Sequence, residues 1–239
     1  MSLIVGVLKE PLQSETRVAL TPEITGKLQD LGVKIIMEHG AGQGSQLLDS
    51  EYEGVEFTDE KGVLAQSDLL FTVQPTSENT VQKLSTRSII VGLMYGYSNS
   101  NLVKALKNKK ITRFAMELVP RISRAQSMDV LSSQATVAGY RAALIAANTL
   151  DKFFPMLTSA AGTIRPAQVL VIGAGVAGLQ AIATAKRLGA IVIGYDVRSA
   201  TKEQVESLGA KFVETGVSAE SEGGCARELT QEEKEQQQV

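Results

Sequence analysis

Residues 169–179, Val169-Leu170-Val171-Ile172-Gly173-Ala174-Gly175-Val176-Ala177-Gly178-Leu179, decide the fold of this chain. The first four are apolar and three of them are β-branched, which is typical of a buried parallel strand. A G-x-G-x-x-G run follows without a gap, and apolar residues at helical spacing continue to Leu188. A strand, a glycine turn and a helix in this order predict a βα unit that binds the pyrophosphate of a dinucleotide.

Each glycine of this run has its own reason to lack a side chain. We expect Gly173 to let the chain turn sharply, Gly175 to let the backbone approach a pyrophosphate, and Gly178 to let the helix pack closely on the sheet. The phosphates would then meet unpaired N–H groups at the positive end of the helix dipole. The predicted cofactor-binding residues of the turn are Gly173, Ala174, Gly175, Val176, Ala177 and Gly178.

A second strand pattern, Ile191–Tyr195, ends in Asp196, eighteen residues after Gly178. A carboxylate at the end of this strand accepts hydrogen bonds from both hydroxyls of an adenine ribose and repels a 2′-phosphate, so it favours NAD(H) over NADP(H). Val197 and Arg198 complete the predicted cofactor site. The alternative is an ordinary tight βα turn followed by a surface aspartate.

Composition limits the classes of protein to consider. The 239 residues are 44% hydrophobic, enough for a core in two lobes, and the net charge of -2 offers no basic field to nucleic acid or anionic lipid. The one cysteine, Cys225, excludes an internal disulfide and fits a reducing compartment. No apolar run is long enough for a membrane span, so we expect a soluble chain. His39, the one histidine, has no partners at metal-ligand spacing, and we expect it to bond to backbone.

Strand and helix patterns alternate along the chain, which predicts an α/β fold with parallel sheets. Strand patterns cover 3–7, 33–38, 68–73, 89–93 and 111–115, and helix patterns cover 22–31, with Thr21 as hydroxyl N-cap, and 99–109. We predict two Rossmann-like lobes: a first lobe over 1–126, a connecting helix and linker over 127–163, and an NAD-binding βαβαβ half over 164–219. An acidic, glutamine-rich tail covers 220–239. The NAD lobe is expected to be truncated after this first half, since the usual second set of strands does not follow.

The segment Val119-Pro120-Arg121-Ile122-Ser123-Arg124-Ala125-Gln126-Ser127-Met128-Asp129 is unusually polar for a connection between a strand and a long helix. Residues 130–150, which follow, are rich in alanine and other small residues. We expect them to pack closely against the glycine-rich lobe or against a second copy of the chain. A solvated loop ahead of a capped helix is the alternative interpretation of the polar segment.

Several of these patterns together resemble one family. They are the polar segment 121–129, Ser132-Ser133-Gln134, Gly139-Tyr140-Arg141 and the run 171–209. They are similar to the NAD(H)-binding component of proton-translocating NAD(P) transhydrogenase, the first portion of its alpha subunit, in the alanine dehydrogenase/transhydrogenase family. The likeness extends over essentially all 239 residues, and residues 120–127 are its most specific portion.

The resemblance implies a two-lobed homodimer that binds NAD(H) and exchanges hydride directly with NADP(H) held by a partner subunit. A membrane subunit would couple this transfer to proton translocation, so the component would lie in the cytoplasm on the inner face of the cell membrane. The residues that match the nicotinamide end of the family's site are Arg121, Gln126, Asp129 and Ser132. Arg121 paired with Asp129 would hold the loop, and Gln126 would orient the carboxamide.

Two departures from the family pattern affect these expectations. The family continues well past residue 239, so we expect a further polypeptide to supply the missing half and the chain to be inactive without partner subunits. The family's mobile loop has a tyrosine after two glycines, where this chain has Gly223-Gly224-Cys225-Ala226. Two other functions stay open: a non-catalytic or truncated NAD-binding module, and an alanine dehydrogenase. The second needs a Lys and a His, and neither occurs in residues 70–75 and 92–97.

Overall fold

The structure, a computed structural model, describes residues 2–215 and 230–231, and the chain divides between Asp129 and Val130 into two units. Each unit has its own parallel sheet, which confirms the predicted α/β class. The tail 220–239 lies outside the described residues except for Thr230 and Gln231, and so does Cys225. In the part of the chain that is described, no helix has both the length and the apolar character to cross a membrane.

The first unit alternates strands and helices as the apolar patterns predict. Its elements are β1 (Ile4–Val7), α1 (Pro22–Asp30), β2 (Lys34–Glu38), β3 (Glu56–Thr58), α2 (Glu60–Gln66), β4 (Leu69–Phe71), α3 (Glu78–Lys83), β5 (Ile89–Gly92), α4 (Ser100–Lys109) and β6 (Thr112–Ala115). All six strands are parallel, in the order β3-β2-β1-β4-β5-β6. The order reverses between β1 and β4, so a crevice opens at the carboxyl ends of these two strands.

Buried apolar side chains cover both faces of this sheet. One cluster joins Leu70 and Ile90 to side chains of α2, α3 and α4, and the other joins Val5 and Val7 to Leu20. Each of the four strand residues is at most 1% exposed, as expected for parallel strands covered on both faces.

The start of α1 differs from the prediction in one detail. Pro22 occupies the first turn as predicted, but the Thr21 hydroxyl makes no capping hydrogen bond. The Thr25 hydroxyl instead donates to the Thr21 carbonyl over 3.0 Å. The helix therefore begins with its first N–H groups uncapped by a side chain, because proline has already removed one of the donors.

The second unit begins with a long helix and contains the glycine turn. Its elements are α5 (Val130–Thr149), the antiparallel hairpin of β7 (Leu157–Ser159) and β8 (Gly162–Ile164), β9 (Gln168–Ile172), α6 (Val176–Arg187), β10 (Ile191–Tyr195), α7 (Lys202–Ser207) and β11 (Lys211–Val213). The parallel strands are ordered β11-β10-β9, with Leu170 opposite Ile193 in the register. They form the predicted βαβαβ half.

The two faces of the three-stranded sheet have opposite environments. On one face Val192 and Phe212 pack with Ile182 of α6 in a buried cluster. On the other face Leu170 is 58% exposed and Ile172 is 75% exposed. The edge of β9 away from β10 pairs with no other strand in the described part of the chain. The sheet is therefore one-sided among these residues.

Candidate functional site

The glycine turn between β9 and α6 has the geometry that its sequence predicts. Gly173 adopts a positive φ of 95°, which disfavours any residue with a side chain, and its N–H donates to the Tyr195 carbonyl over 2.7 Å. A Cβ on Gly178 would lie 1.7 Å from the Gly173 carbonyl oxygen, so only glycine lets α6 pack this closely. A Cβ on Gly175 would meet nothing within 4 Å. Gly175 therefore faces open space, where a ligand can approach the backbone.

The first N–H groups of α6 are available to an anion. The helix bonding begins with the Leu179 N–H, which donates to the Gly175 carbonyl over 2.8 Å. In residues 2–215 and 230–231 we find no acceptor for the N–H groups of Gly175, Val176 or Ala177. The helix ends in Lys186 and Arg187, so its two ends differ in charge in the same sense as its dipole. This arrangement suits a phosphate group.

The Asp196 carboxylate lies directly beside the turn and accepts four hydrogen bonds. The Ala174 N–H donates to Oδ2 over 2.7 Å, and the Arg198 N–H donates to Oδ1 over 2.9 Å. The Arg198 guanidinium adds one bond to each oxygen, from Nε to Oδ1 and from Nη2 to Oδ2, both over 2.9 Å. Burial alone raises the pKa of Asp196, but the Arg198 side chain and the two backbone N–H groups outweigh burial and lower the pKa to about 2. The carboxylate is therefore ionised at neutral pH.

The structure thus brings the predicted cofactor residues together in the second unit. The turn residues 173–178 and the carboxylate are linked through the Ala174 N–H, and Val197 connects Asp196 to Arg198 in the chain. The pairing of the guanidinium with the acid is a feature that the sequence prediction lacks. An arginine two residues after the acid is the signal in the sequence that points to it.

The polar segment forms a short 3₁₀ helix, Ser123–Met128, in the first unit. Ala125 is buried and anchors it, whereas Arg121 and Gln126 are exposed. The expected ion pair between Arg121 and Asp129 does not form: among the described residues Arg121 has no ion-pair partner. A 3₁₀ helix rises about 2 Å per residue, so the intervening helix holds these two side chains well apart. Ser132 belongs to the first turn of α5 in the second unit, so the four predicted nicotinamide residues are divided between the units.

The crevice of the first sheet is occupied by the protein itself. Glu10, just after β1, accepts the N–H groups of Val73 and Gln74, just after β4, over 2.7 and 2.9 Å. Burial raises the pKa of Glu10, and these two N–H groups oppose that rise. A cavity of about 360 Å³ adjoins the carboxylate. Because the crevice already holds an anion on its free N–H groups, it is unsuited to a phosphate. The sequence predictions do not include this residue, although its place directly after a buried strand marks it.

Two arginines near this crevice are also engaged. The Arg17 guanidinium donates to both oxygens of Glu15, over 2.7 and 2.6 Å, and lowers the pKa of Glu15 to about 2 against the effect of burial. Arg113 donates to the Thr76 hydroxyl over 3.0 Å and to the Leu93 carbonyl, and burial lowers its pKa to about 10. Neither guanidinium is left open to the carboxylate of a substrate.

His39 contacts a side chain where a backbone partner is expected. Its Nδ1 lies 3.2 Å from an Asp49 oxygen, and its ring stacks on Phe57 with centroids 5.8 Å apart. Over the residues with described positions, no group of three His, Cys, Asp or Glu side chains is placed to hold a metal ion.

Two family models match the chain and together cover nearly all of it. The model described as Alanine dehydrogenase/PNT, N-terminal domain, matches residues 6–138. The model described as Alanine dehydrogenase/PNT, C-terminal domain, matches residues 142–239. The first match alone spans more than half of the chain.

Individual relatives agree with the family models. In Rhodospirillum rubrum, the first of the polypeptides that make up the NAD(P) transhydrogenase alpha subunit is 46% identical over 245 residues, which cover 98% of this chain and 64% of that protein. A solved transhydrogenase structure from Sinorhizobium meliloti is 47% identical, with a TM-score of 0.86, over 89% of this chain and 62% of that one. The alanine dehydrogenase of Methanococcus maripaludis is more distant, at 30% identity over 82% of this chain and 54% of that protein.

This chain therefore spans a little under two thirds of the length of the transhydrogenase relatives. The resemblance drawn from the sequence is confirmed by both kinds of comparison. The chain belongs to the alanine dehydrogenase/PNT family.

Proposed function

We propose that this chain is the NAD(H)-binding component of a proton-translocating, Re/Si-specific NAD(P) transhydrogenase. It exchanges hydride with NADP(H) held on a partner subunit. The observation that supports this most strongly is the open backbone at Gly175, at the start of α6, beside the ionised Asp196. The similarity to transhydrogenase alpha subunits points in the same direction.

The second unit supplies the groups that would hold the cofactor. The N–H groups of Gly175, Val176 and Ala177 take the pyrophosphate, with Gly173, Ala174 and Gly178 shaping the turn. Asp196, flanked by Val197 and Arg198, takes the adenine ribose. NAD(H), when bound, supplies or accepts the hydride at its nicotinamide ring. The fit is good because the added Cβ at Gly175 meets no protein atom, so the backbone is accessible.

The nicotinamide end falls to the residues taken over from the family pattern. Arg121, Gln126, Asp129 and Ser132 orient the ring, and Gln126 holds the carboxamide. Transfer of hydride between two nicotinamides moves no proton, so the chain needs to position groups and does not need an acid–base pair. The exposed, polar 3₁₀ helix Ser123–Met128 suits this role, since it can contact both the cofactor and a partner.

An alanine dehydrogenase is the less favoured function. It requires a cation for the substrate carboxylate and a proton acceptor. The two arginines near the crevice of the first sheet, Arg17 and Arg113, are already engaged. Residues 70–75 and 92–97 provide neither Lys nor His. A non-catalytic NAD-binding module remains the second candidate, because the same cofactor site would serve it.

Partners complete the proposal. We infer an NADP(H)-binding subunit, a membrane subunit that couples transfer to proton translocation, and a second copy of this chain in a homodimer. The complex would be peripheral on the cytoplasmic face of the cell membrane. The exposed apolar side chains Val137, Tyr140 and Ile145 of α5 support a contact with a second copy. The one-sided sheet, with Leu170 and Ile172 exposed, supports a polypeptide that supplies the second half of the NAD lobe.

The test is hydride transfer to an NAD⁺ analogue from NADPH bound to a transhydrogenase partner, with the complementing polypeptide present. We expect Gln126→Ala and Asp129→Ala to slow transfer at least about tenfold and to change the NAD(H) dissociation constant by less than about threefold, because lost orientation costs rate. Ser127→Ala, in the same 3₁₀ helix, is the matched control and should transfer at the parent rate. Tight NAD(H) binding without any transfer would establish the non-catalytic module instead.

A further inference from the structure

The Asp196 carboxylate has no free acceptor site in this structure. A carboxylate offers about four lone-pair positions, and all four are filled by the N–H groups of Ala174 and Arg198 and by the Arg198 guanidinium. The Asp196 side chain is only 6% exposed and that of Arg198 is 20% exposed, so water does not separate the pair. A ligand that bonds to both oxygens must therefore displace a donor.

The side-chain donors are the ones that can leave. The Ala174 and Arg198 N–H groups belong to the backbone that shapes the site, whereas the guanidinium rotates about its own side-chain bonds. Its Nε and Nη2 place one parallel donor on each oxygen. The 2′ and 3′ hydroxyls of a ribose would place their two donors on the same two oxygens. The guanidinium therefore occupies the positions of a ribose diol.

We propose that Arg198 is a specificity-determining residue that competes with the adenine ribose for Asp196 and, once displaced, accommodates a 2′-phosphate. This inference rests on the proposed NAD(H) site. The competition weakens NAD(H) binding, because some of the binding free energy is spent in opening the ion pair. The displaced guanidinium stays two residues from the acid and offsets the repulsion between Asp196 and a 2′-phosphate. Arg198 thus narrows the preference for NAD(H) over NADP(H) that Asp196 creates.

Titration calorimetry of the full chain with NADH and with NADPH tests this. We expect Arg198→Ala to bind NADH roughly threefold to tenfold more tightly and NADPH correspondingly more weakly, the range typical of a partly buried charged pair. Arg198→Lys should lie between, because lysine keeps the charge but lacks the bidentate fork. Arg165→Ala, which removes an exposed arginine at the end of the hairpin, controls for net charge and should match the parent.

A double-mutant comparison separates competition from a general structural effect. In an Asp196→Asn background, Arg198→Ala should no longer tighten NADH, because the competition acts through the carboxylate. Unchanged or weakened NADH binding in both Arg198→Ala and Arg198→Lys, with unchanged thermal unfolding, would overturn the inference. So would an effect of Arg198→Ala that persists in the Asp196→Asn background.

Failure of the proposed NAD(H) site would look different. Gly175→Ala fits the free structure without a clash and should abolish NADH binding by blocking the pyrophosphate. If the parent chain bound no NADH, or Gly175→Ala bound it equally well, the site itself would be wrong. If Gly175→Ala abolishes binding and the Arg198 variants behave as the parent, only the competition is refuted.

Discussion

Glu15 shows how much a single paired carboxylate contributes to this fold. Its side chain is 8% exposed and is held by both donors of Arg17 and by the Gln74 amide over 2.6 Å. The lowered pKa, about 2, means that the folded chain keeps this carboxylate ionised where the unfolded chain, with a pKa near about 4.3, already binds a proton. The stabilising contribution is therefore complete above about pH 4.5 and is lost as the pH falls towards about 2.

We accordingly expect Glu15→Gln to lower the free energy of unfolding at pH 7 by about 1–2 kcal/mol, allowing for the 38% exposure of the Arg17 side chain. Its stability should also depend less on pH, between about 4.5 and about 2, than that of the parent. Urea unfolding followed by circular dichroism at several pH values measures both effects. Glu53→Gln, at an exposed position, is the control. Parallel pH profiles for the parent and Glu15→Gln would contradict the prediction.

At this scale the sequence predicts residue types better than it predicts pairings. An acid directly after a buried strand predicts the role of Asp196, and the structure places it beside the turn. The forked bond from Arg198 and the insertion of Glu10 between two loops are not predictable in this way. The first depends on where a side chain points, and the second joins loops more than 60 residues apart, and a single sequence specifies neither.

The crossing of α5 and α6 is the element-scale feature that supports the glycine turn. The expectation that residues 130–150 pack closely against the glycine-rich lobe is confirmed by Gly139, where a Cβ would lie 2.0 Å from the Ala177 carbonyl oxygen. The backbone of α5 therefore rests directly on the first turn of α6. The position of the N–H groups that face the phosphate depends on this contact.

Gly139→Ala should push α6 away from its position. We expect a loss of about 1–3 kcal/mol in the free energy of unfolding, as in other overpacked sites, together with a several-fold weaker NADH affinity. Gly26→Ala is the matched control, because Gly26 also lies within a helix but an added methyl there meets nothing within 4 Å. That variant should be as stable as the parent or slightly more stable. NADH affinity equal to the parent in a folded Gly139→Ala variant would disprove the support role.

The elements that the sequence does not predict are short or exposed. The strand β3 and the hairpin strands β7 and β8 have three residues each, and both hairpin strands are exposed throughout. Too few residues are present for an alternating pattern to emerge, and pairing in the structure defines these strands. The longer buried strands β1, β2, β5 and β10 are predictable because apolar runs mark them directly.

At the scale of the whole molecule, the chain consists of two units, each with its own buried cluster. The predicted cofactor residues of the turn and Asp196 all lie in the second unit. A ligand stabilises only the unit whose folded form it binds, by about 2.7 kcal/mol at about a hundred times the dissociation constant.

Scanning calorimetry should therefore resolve two transitions, of which NADH shifts one upward by about 10 °C or more while the other stays in place. Gly175→Ala supplies the control: its transitions should not respond to NADH. A single transition that moves as a whole with NADH would show that the two units unfold together.

The bonding of Glu10 has a consequence for stoichiometry. Two sheets of Rossmann type would suggest two dinucleotides per chain, one at each point where the strand order places a crevice. In the first sheet the N–H groups of Val73 and Gln74 are saturated by an internal carboxylate, which serves as a permanent substitute for a ligand. Architecture is shared by the two units but binding capacity is not, and each chain accordingly has room for one dinucleotide.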